Sequence, residues 1–127
     1  MPARKRYLPF IALLLTGCAP EPVVPSAPMA VEGVRLTLEA LPQSPVCDPT
    51  QPYVARVRWE VQDWPDPKFD FHIERSDGQL WARHNSASGE QDSGLWARAG
   101  MFFVMVDRNT RRVIAAQPVP PLVCPPA

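Results

Sequence analysis

A period of two along the chain constrains its fold more than any other feature. Val34-Arg35-Leu36-Thr37-Leu38-Glu39, Val57-Arg58-Trp59-Glu60-Val61 and Phe69-Asp70-Phe71-His72-Ile73-Glu74 each alternate apolar with polar side chains. That is the pattern of a strand with one dry and one wet face. No segment keeps a helical period over ten residues. Breakers separate the strands. Pro42 to Pro52 is a proline-rich loop, Asp63-Trp64-Pro65-Asp66-Pro67 is a rigid connection, and Ser76-Asp77-Gly78 is a hairpin turn signal, because Asp-Gly tolerates the positive φ of tight turns. Leu80 to Arg83 reads as the return strand, His84 to Ser93 as a polar loop, and Leu95 to Ala97 as a short strand or strand edge. Met101 to Val106 is a strand apolar on both faces, Asp107 to Arg112 a polar turn, and Val113 to Gln117 its return. About seven short strands at this spacing predict an all-β chain, a small antiparallel β-sandwich over residues 32–127.

Ahead of the first strand, residues 19–31 hold Pro20, Pro22, Pro25 and Pro28. Proline blocks both the helix and the sheet ladder. The segment therefore reads as an extended tether, rising about 3.1 Å per residue and able to hold the domain up to about 40 Å from its attachment point.

What precedes the tether has three parts. Arg4, Lys5 and Arg6 are basic, Tyr7 to Leu15 is a short apolar run, and Leu15-Thr16-Gly17-Cys18 ends in small residues before a cysteine. A spanning helix needs roughly 20 apolar residues, and this run is about half that. A basic start, a short apolar stretch and small residues at a cut mark an export signal. With Cys18 at the cut, residues 1–17 resemble a bacterial lipoprotein signal peptide and its lipobox. The resemblance implies diacylglycerol on the Cys18 thiol, cleavage before it and a further acyl chain on the new N-terminus. Several chains anchor firmly where one does not, so the membrane becomes a partner through the N-terminal lipid carried by segment 18–31. By the same resemblance Ala19, standing where an Asp would retain the protein on the inner membrane, implies the outer membrane, facing the periplasm.

The 127 residues less the 17 of the signal leave 110, enough for one small domain. The precursor holds 13 Lys and Arg against 13 Asp and Glu; without the three cations of the signal the balance is 10 against 13, near −3. Nucleic-acid binding needs a basic face, so that class is disfavoured, as is electrostatic adhesion to anionic lipid. With Cys18 taken by lipid, Cys47 and Cys124 remain as an even pair in an oxidising compartment, where a disulfide is expected. A metal site would need further thiols or a nearby His.

The candidate chemistry is sparse. His72 and His84 are the histidines a hydrolytic triad could use, but no nucleophile elbow accompanies them, and His72 should face solvent. Asp63, Asp66 and Asp70 could converge on calcium; without the Gly and bidentate Glu of a calcium loop, a turn role suits them better. Arg108, Arg111 and Arg112 read as a solvated hairpin tip. No enzyme, metal or other cofactor is expected. Four tryptophans remain. Trp59 alternates into the core. Trp81 is out of phase with Leu80 and Ala82, while Trp64 and Trp96 fall at strand ends, so Trp64, Trp81 and Trp96 are the candidate contact patch. The second face of Met101–Val106 needs a cover, for which the proline-rich tail Pro118–Ala127, pinned through Cys124, is the expected element.

The Val57-x-Trp59, Phe69-x-Phe71-x-Ile73 and Phe103-x-Met105 strands resemble the order of immunoglobulin-like and fibronectin type III domains, with Trp59 at the core Trp of the second strand. Phe stands where a corner Tyr would be, and the expected disulfide joins a loop to the tail. Together these readings predict a lipid-anchored, non-catalytic binding or interaction module of the cell envelope, its partner an envelope protein or glycan. The alternative is an inhibitor or immunity lipoprotein that blocks a periplasmic toxin or hydrolase.

Overall fold

The computed structural model describes residues 21–126. Cys18, the signal segment and the first residues of the tether lie outside them. The described chain forms eight strands and no helix: β1 (Met29–Ala30), β2 (Val34–Leu41), β3 (Val54–Val61), β4 (Phe69–Ile73), β5 (Leu80–His84), β6 (Ser88–Asp92), β7 (Phe102–Asp107) and β8 (Val113–Pro118). They build two antiparallel sheets, β1-β8-β7-β4-β5 and β2-β3-β6, packed as a β-sandwich. The expected all-β class is the observed one.

Alternation delivers the core. Leu36, Val57 and Trp59 from the three-stranded sheet meet Phe69, Phe71, Phe103 and Met105 from the other. The four residues from the larger sheet are fully buried, and each such side chain contributes about 1.5–3 kcal/mol by leaving water. The Trp59 ring sits 5.1 Å from Phe71 and 4.3 Å from His84, and its Nε1 donates to Ser86 O at 3.1 Å.

Five expectations are corrected. The first is the polar loop His84–Ser93, which contains a strand. Ser88, Glu90 and Asp92 pair across from Glu60, Arg58 and Arg56; the inward positions are Gly89 and Gln91, so no apolar alternation marks the strand. Gly89 is small of necessity: a Cβ there would lie 2.4 Å from Trp59 Cζ2. Leu95–Ala97, expected as a short strand or strand edge, holds a single antiparallel bridge from Ala97 to Tyr53.

The second correction concerns the tether. Val23 N donates to Ser76 Oγ at 2.7 Å, Ser76 N donates to Val23 O at 2.9 Å, and Met29 and Ala30 pair with Ala116 and Ala115 on β8. These ties lie at opposite edges of the five-stranded sheet, so the segment between them is a strap across it and no free spacer. The third follows. On the outer face of that sheet Val104, Val106 and Ala116 are buried with Met29 packed on them. The cover there comes from the N-terminal segment. The tail instead enters the main core, with Val119 and Leu122 buried and Tyr53 Oη donating to Pro120 O at 2.7 Å.

Fourth, the turn after β4 takes its positive φ at Glu74 (71°), while Gly78 serves space: a Cβ there would sit 2.2 Å from Ile73 O. Fifth, Arg108 is no solvated tip, since it folds back on Asp70 Oδ1 at 2.8 Å and also donates to Asn85 Oδ1 and Phe69 O. The Cys47–Cys124 disulfide is formed and joins the β2–β3 loop to the tail.

Candidate functional site

Register fixes which loops share an end of the sandwich. Ile73 pairs with Phe103, Phe102 with Pro118, and Leu41 with Val54. The β4–β5 turn, the β2–β3 loop, the β6–β7 connection and the tail therefore lie together. At the other end are the β3–β4 connection, with Asp63, Asp66 and Lys68, and the β7–β8 turn, with Arg108, Arg111 and Arg112.

Trp81 and Trp96 converge at the first end. A β-bulge on β5, opposite Phe71 and His72 of β4, leaves Trp81 without an opposite partner, since Phe71 pairs with Ala82 and His72 with Leu80. The extra residue resolves the phase conflict. Trp81 and Ala82 both pack toward the core, while Leu80 is exposed. Trp81 meets Phe103 edge-on at 5.0 Å, and Trp96 stacks on the same Phe103 at 5.9 Å and 19°. The two indoles, with Ile73, Gln79, Leu80 and Met101, line a cleft of about 440 Å³. Gly94 admits the Trp96 ring, because a Cβ there would lie 2.5 Å from Nε1. Trp64 does not join them. It packs near Phe69 at 6.2 Å, at the opposite end of the domain.

The rest of this end is also apolar. The strap presents Val23 and Val24, the β2–β3 loop Val46 at 64 % exposure, the β6–β7 connection Leu95 at 61 %, and the tail Val123 at 87 %. With Leu80 and Trp96 these are the exposed large hydrophobic residues among the described residues. Sequence reading found the two tryptophans but not the end they share, because the elements that build it are far apart in the chain. Tyr53 closes the core beneath it, its phenol donating to Pro120 O; burial raises the pKa of that phenol, opposed by a hydrogen bond with the Leu122 backbone.

Two other surfaces carry charge. On the outer face of the three-stranded sheet Arg56 meets Asp92 at 2.8 Å and Glu90 at 3.2 Å, while Arg58 meets Glu90 at 2.6 Å and Glu39 at 3.6 Å. The hydrogen bond from Arg56 holds the Asp92 carboxyl below its ordinary range, and those from Arg56 to Asp92 and Arg58 to Glu90 raise the two guanidiniums. All of these groups are solvated, so each pair contributes little to stability. On the five-stranded sheet Asp70 takes both Arg108 and Arg83, the latter at 3.3 Å. Asp70, His72 and Arg83 line a groove of about 500 Å³ that residues 21–23 of the strap help to wall.

The other candidate groups do not converge on chemistry. His72 Nδ1 donates to Gly78 O at 2.8 Å on the outer side of the sheet, whereas His84 bonds Gln91 against Trp59 on the inner side. Ser93 Oγ accepts from Ala55 N and donates to Gly94 O, a structural role. Asp63 and Asp66 take positive φ in the β3–β4 connection, and Asp70 is engaged by arginine. Among the described residues no group of three or more His, Cys, Asp or Glu is placed to hold a metal ion. Comparison with protein-family models, with curated proteins and with solved structures returns no match.

Proposed function

We propose that this chain is a lipid-anchored, non-catalytic binding module of the bacterial cell envelope. Cys18 carries the lipid, Ala19 directs the protein to the outer membrane, and the sandwich faces the periplasm. The observation that carries the reading is the apolar end. An exported domain that leaves Leu95, Trp96 and Val123 in water, beside a cleft built on Trp81, has a surface suited to contact. The partner is an envelope component: protein, glycan or the lipid itself. Strand order supports an immunoglobulin-like body, with β2-β3-β6 facing β8-β7-β4-β5 and Trp59 buried on the central strand of the smaller sheet.

Mass spectrometry of protein extracted from membranes tests the anchor. The expected species begins at an acylated Cys18 and carries the oxidised Cys47–Cys124 pair. An intact N-terminal methionine with no lipid would refute it. A photo-crosslinker replacing Trp96 tests the surface in intact cells. Adducts at position 96 are expected, with none from a probe at Lys68 on the opposite end; equal labelling at both positions would remove the apolar end as the contact surface.

A further inference from the structure

We propose that the apolar end of the sandwich seats on the headgroup layer of the membrane to which Cys18 is tied, with Leu95, Trp96 and Val123 entering the interface. The inference rests on the reading of Cys18 as the lipidated residue and names the occupant of the surface described above.

Chain length is the first argument. Val23 is hydrogen-bonded in both directions to Ser76, in the β4–β5 turn at the apolar end. Four residues stand between it and Cys18, five Cα–Cα steps in all. At no more than about 3.6 Å each they span at most about 18 Å. The docked strap thus removes most of the spacer that residues 19–31 would otherwise supply. Glu21 and Pro22 leave Val23 along the outer face of the five-stranded sheet, in the groove that also holds Arg108 and Arg111, and the remaining length lets the lipid turn back to this end at the high effective concentration of a short linker.

Composition is the second argument. Membrane interfaces favour Trp with apolar neighbours and disfavour uncompensated charge. Near Ser76, Arg75 and Asp77 pair with each other; Asp48, whose carboxylate accepts from Thr50, and the exposed Glu74 and Arg98 are the other charged side chains of this end. The β2–β3 loop and the tail from Pro118 onward together hold nine prolines. A proline has no N–H to leave unpaired when water is displaced. The far end lacks these properties. There Asp63, Asp66 and Lys68 lie near Arg111 and Arg112, with no large apolar side chain exposed among the described residues.

The test uses the native lipidated protein, reconstituted into phosphatidylethanolamine–phosphatidylglycerol vesicles whose upper acyl chains are brominated. Two of the four tryptophans, Trp81 and Trp96, lie at the seated end, so emission should fall to about half if they approach the headgroup–acyl boundary, which docked apolar faces enter by about 5–10 Å. A double variant, Leu95→Asp with Val123→Asp, changes only exposed positions. It should still float with the vesicles and keep its circular dichroism, yet lose the quenching. Flotation with emission no lower than that of a soluble Cys18→Ser protein mixed with the same vesicles would overturn the seating and leave the anchor intact. So would protection of Trp96 by a second copy or another protein at the same end. Failure of the wild type to float would remove the anchor and the seating together.

Discussion

Replacing Gly89 by alanine should destabilise the domain, although glycine is a poor strand residue. Two effects oppose. Alanine restricts the unfolded chain, which favours folding by about 0.4–1 kcal/mol where the native backbone accepts it. Against this, the added Cβ would lie 2.4 Å from Trp59 Cζ2 and 2.6 Å from Cη2. Trp59 cannot easily yield. It is wedged between Phe71 and His84, and its Nε1 is tied to Ser86 O. β6 is held by its ladder to β3. Overpacking of this kind costs about 1–3 kcal/mol, so the steric term wins. At about 4–8 °C per kcal/mol for a domain of this size, the Tm of Gly89→Ala should fall measurably in calorimetry under oxidising conditions. The decisive measurement is a double-mutant cycle with Trp59→Phe, whose ring has no Cζ2 or Cη2. In that background Gly89→Ala should be close to neutral, with a coupling of about 1 kcal/mol or more, within the range for residues in contact. A Tm that is unchanged or raised in the single variant, or strictly additive effects, would refute the reasoning.

Three further outcomes are expected. Replacing Cys47 and Cys124 together by alanine reopens a loop with a sequence separation of 77; chain entropy predicts a loss of up to about 4.5 kcal/mol, read as a lower denaturant midpoint with an unchanged β spectrum. Tyr53→Phe removes the hydrogen bond to Pro120 O, costing about 1 kcal/mol at neutral pH. Because burial raises the Tyr53 pKa, the wild type keeps the neutral phenol's contribution below the unfolded value near 10 and loses it as pH rises past that value, so unfolding curves at pH 9 and pH 11 should diverge in the wild type and not through this group in the variant. For Asp92 the sign is reversed. Arg56 depresses its pKa, so any contribution is present above the unfolded value near 3.9 and fades below it; since the pair is solvated, Asp92→Asn should shift the acid midpoint only slightly, and less still in high salt.

How much of the molecule was legible in the chain depends on what each element uses to hold itself. β2, β3 and β4 are held by their own apolar alternation, and each was readable from its residues alone. β6 is held by backbone pairing to β3 and by the room that Gly89 leaves for Trp59. Its inward residues are glycine and glutamine, so hydropathy carries no trace of it. The bulge at Trp81 was visible only as a broken phase, and the break could not say which residue would turn inward. The strap was hidden by its prolines, which forbid regular structure within the segment but not a hydrogen bond from Val23 or a two-residue pairing at Met29. Cys47 and Cys124 were legible as a pair by parity, while the core positions of Val119 and Leu122 in the same tail were not. Trp81 and Trp96 were readable as candidates. Their convergence on Phe103 depends on the register of β4 with β7, which pairwise spacing along the chain does not encode.

The same register explains why the surface of this domain is uneven. Proline-rich segments contribute few backbone donors and few charges, and here the β2–β3 loop and the tail fall at one end because β2 and β8 both finish there. The disulfide then ties these two segments to each other, so the end is both apolar and braced. The opposite connections carry Asp63, Asp66, Lys68 and three arginines of the β7–β8 turn, one of which is drawn back onto Asp70. An unanchored domain gains nothing from such polarity and risks association through its apolar end. A domain anchored as proposed, by a strap that meets Ser76, would present that end in one direction. With the anchor proposed at Cys18, polarity of side chains and polarity of attachment would coincide, and Val23, bonded to Ser76, is the residue through which the two would be joined.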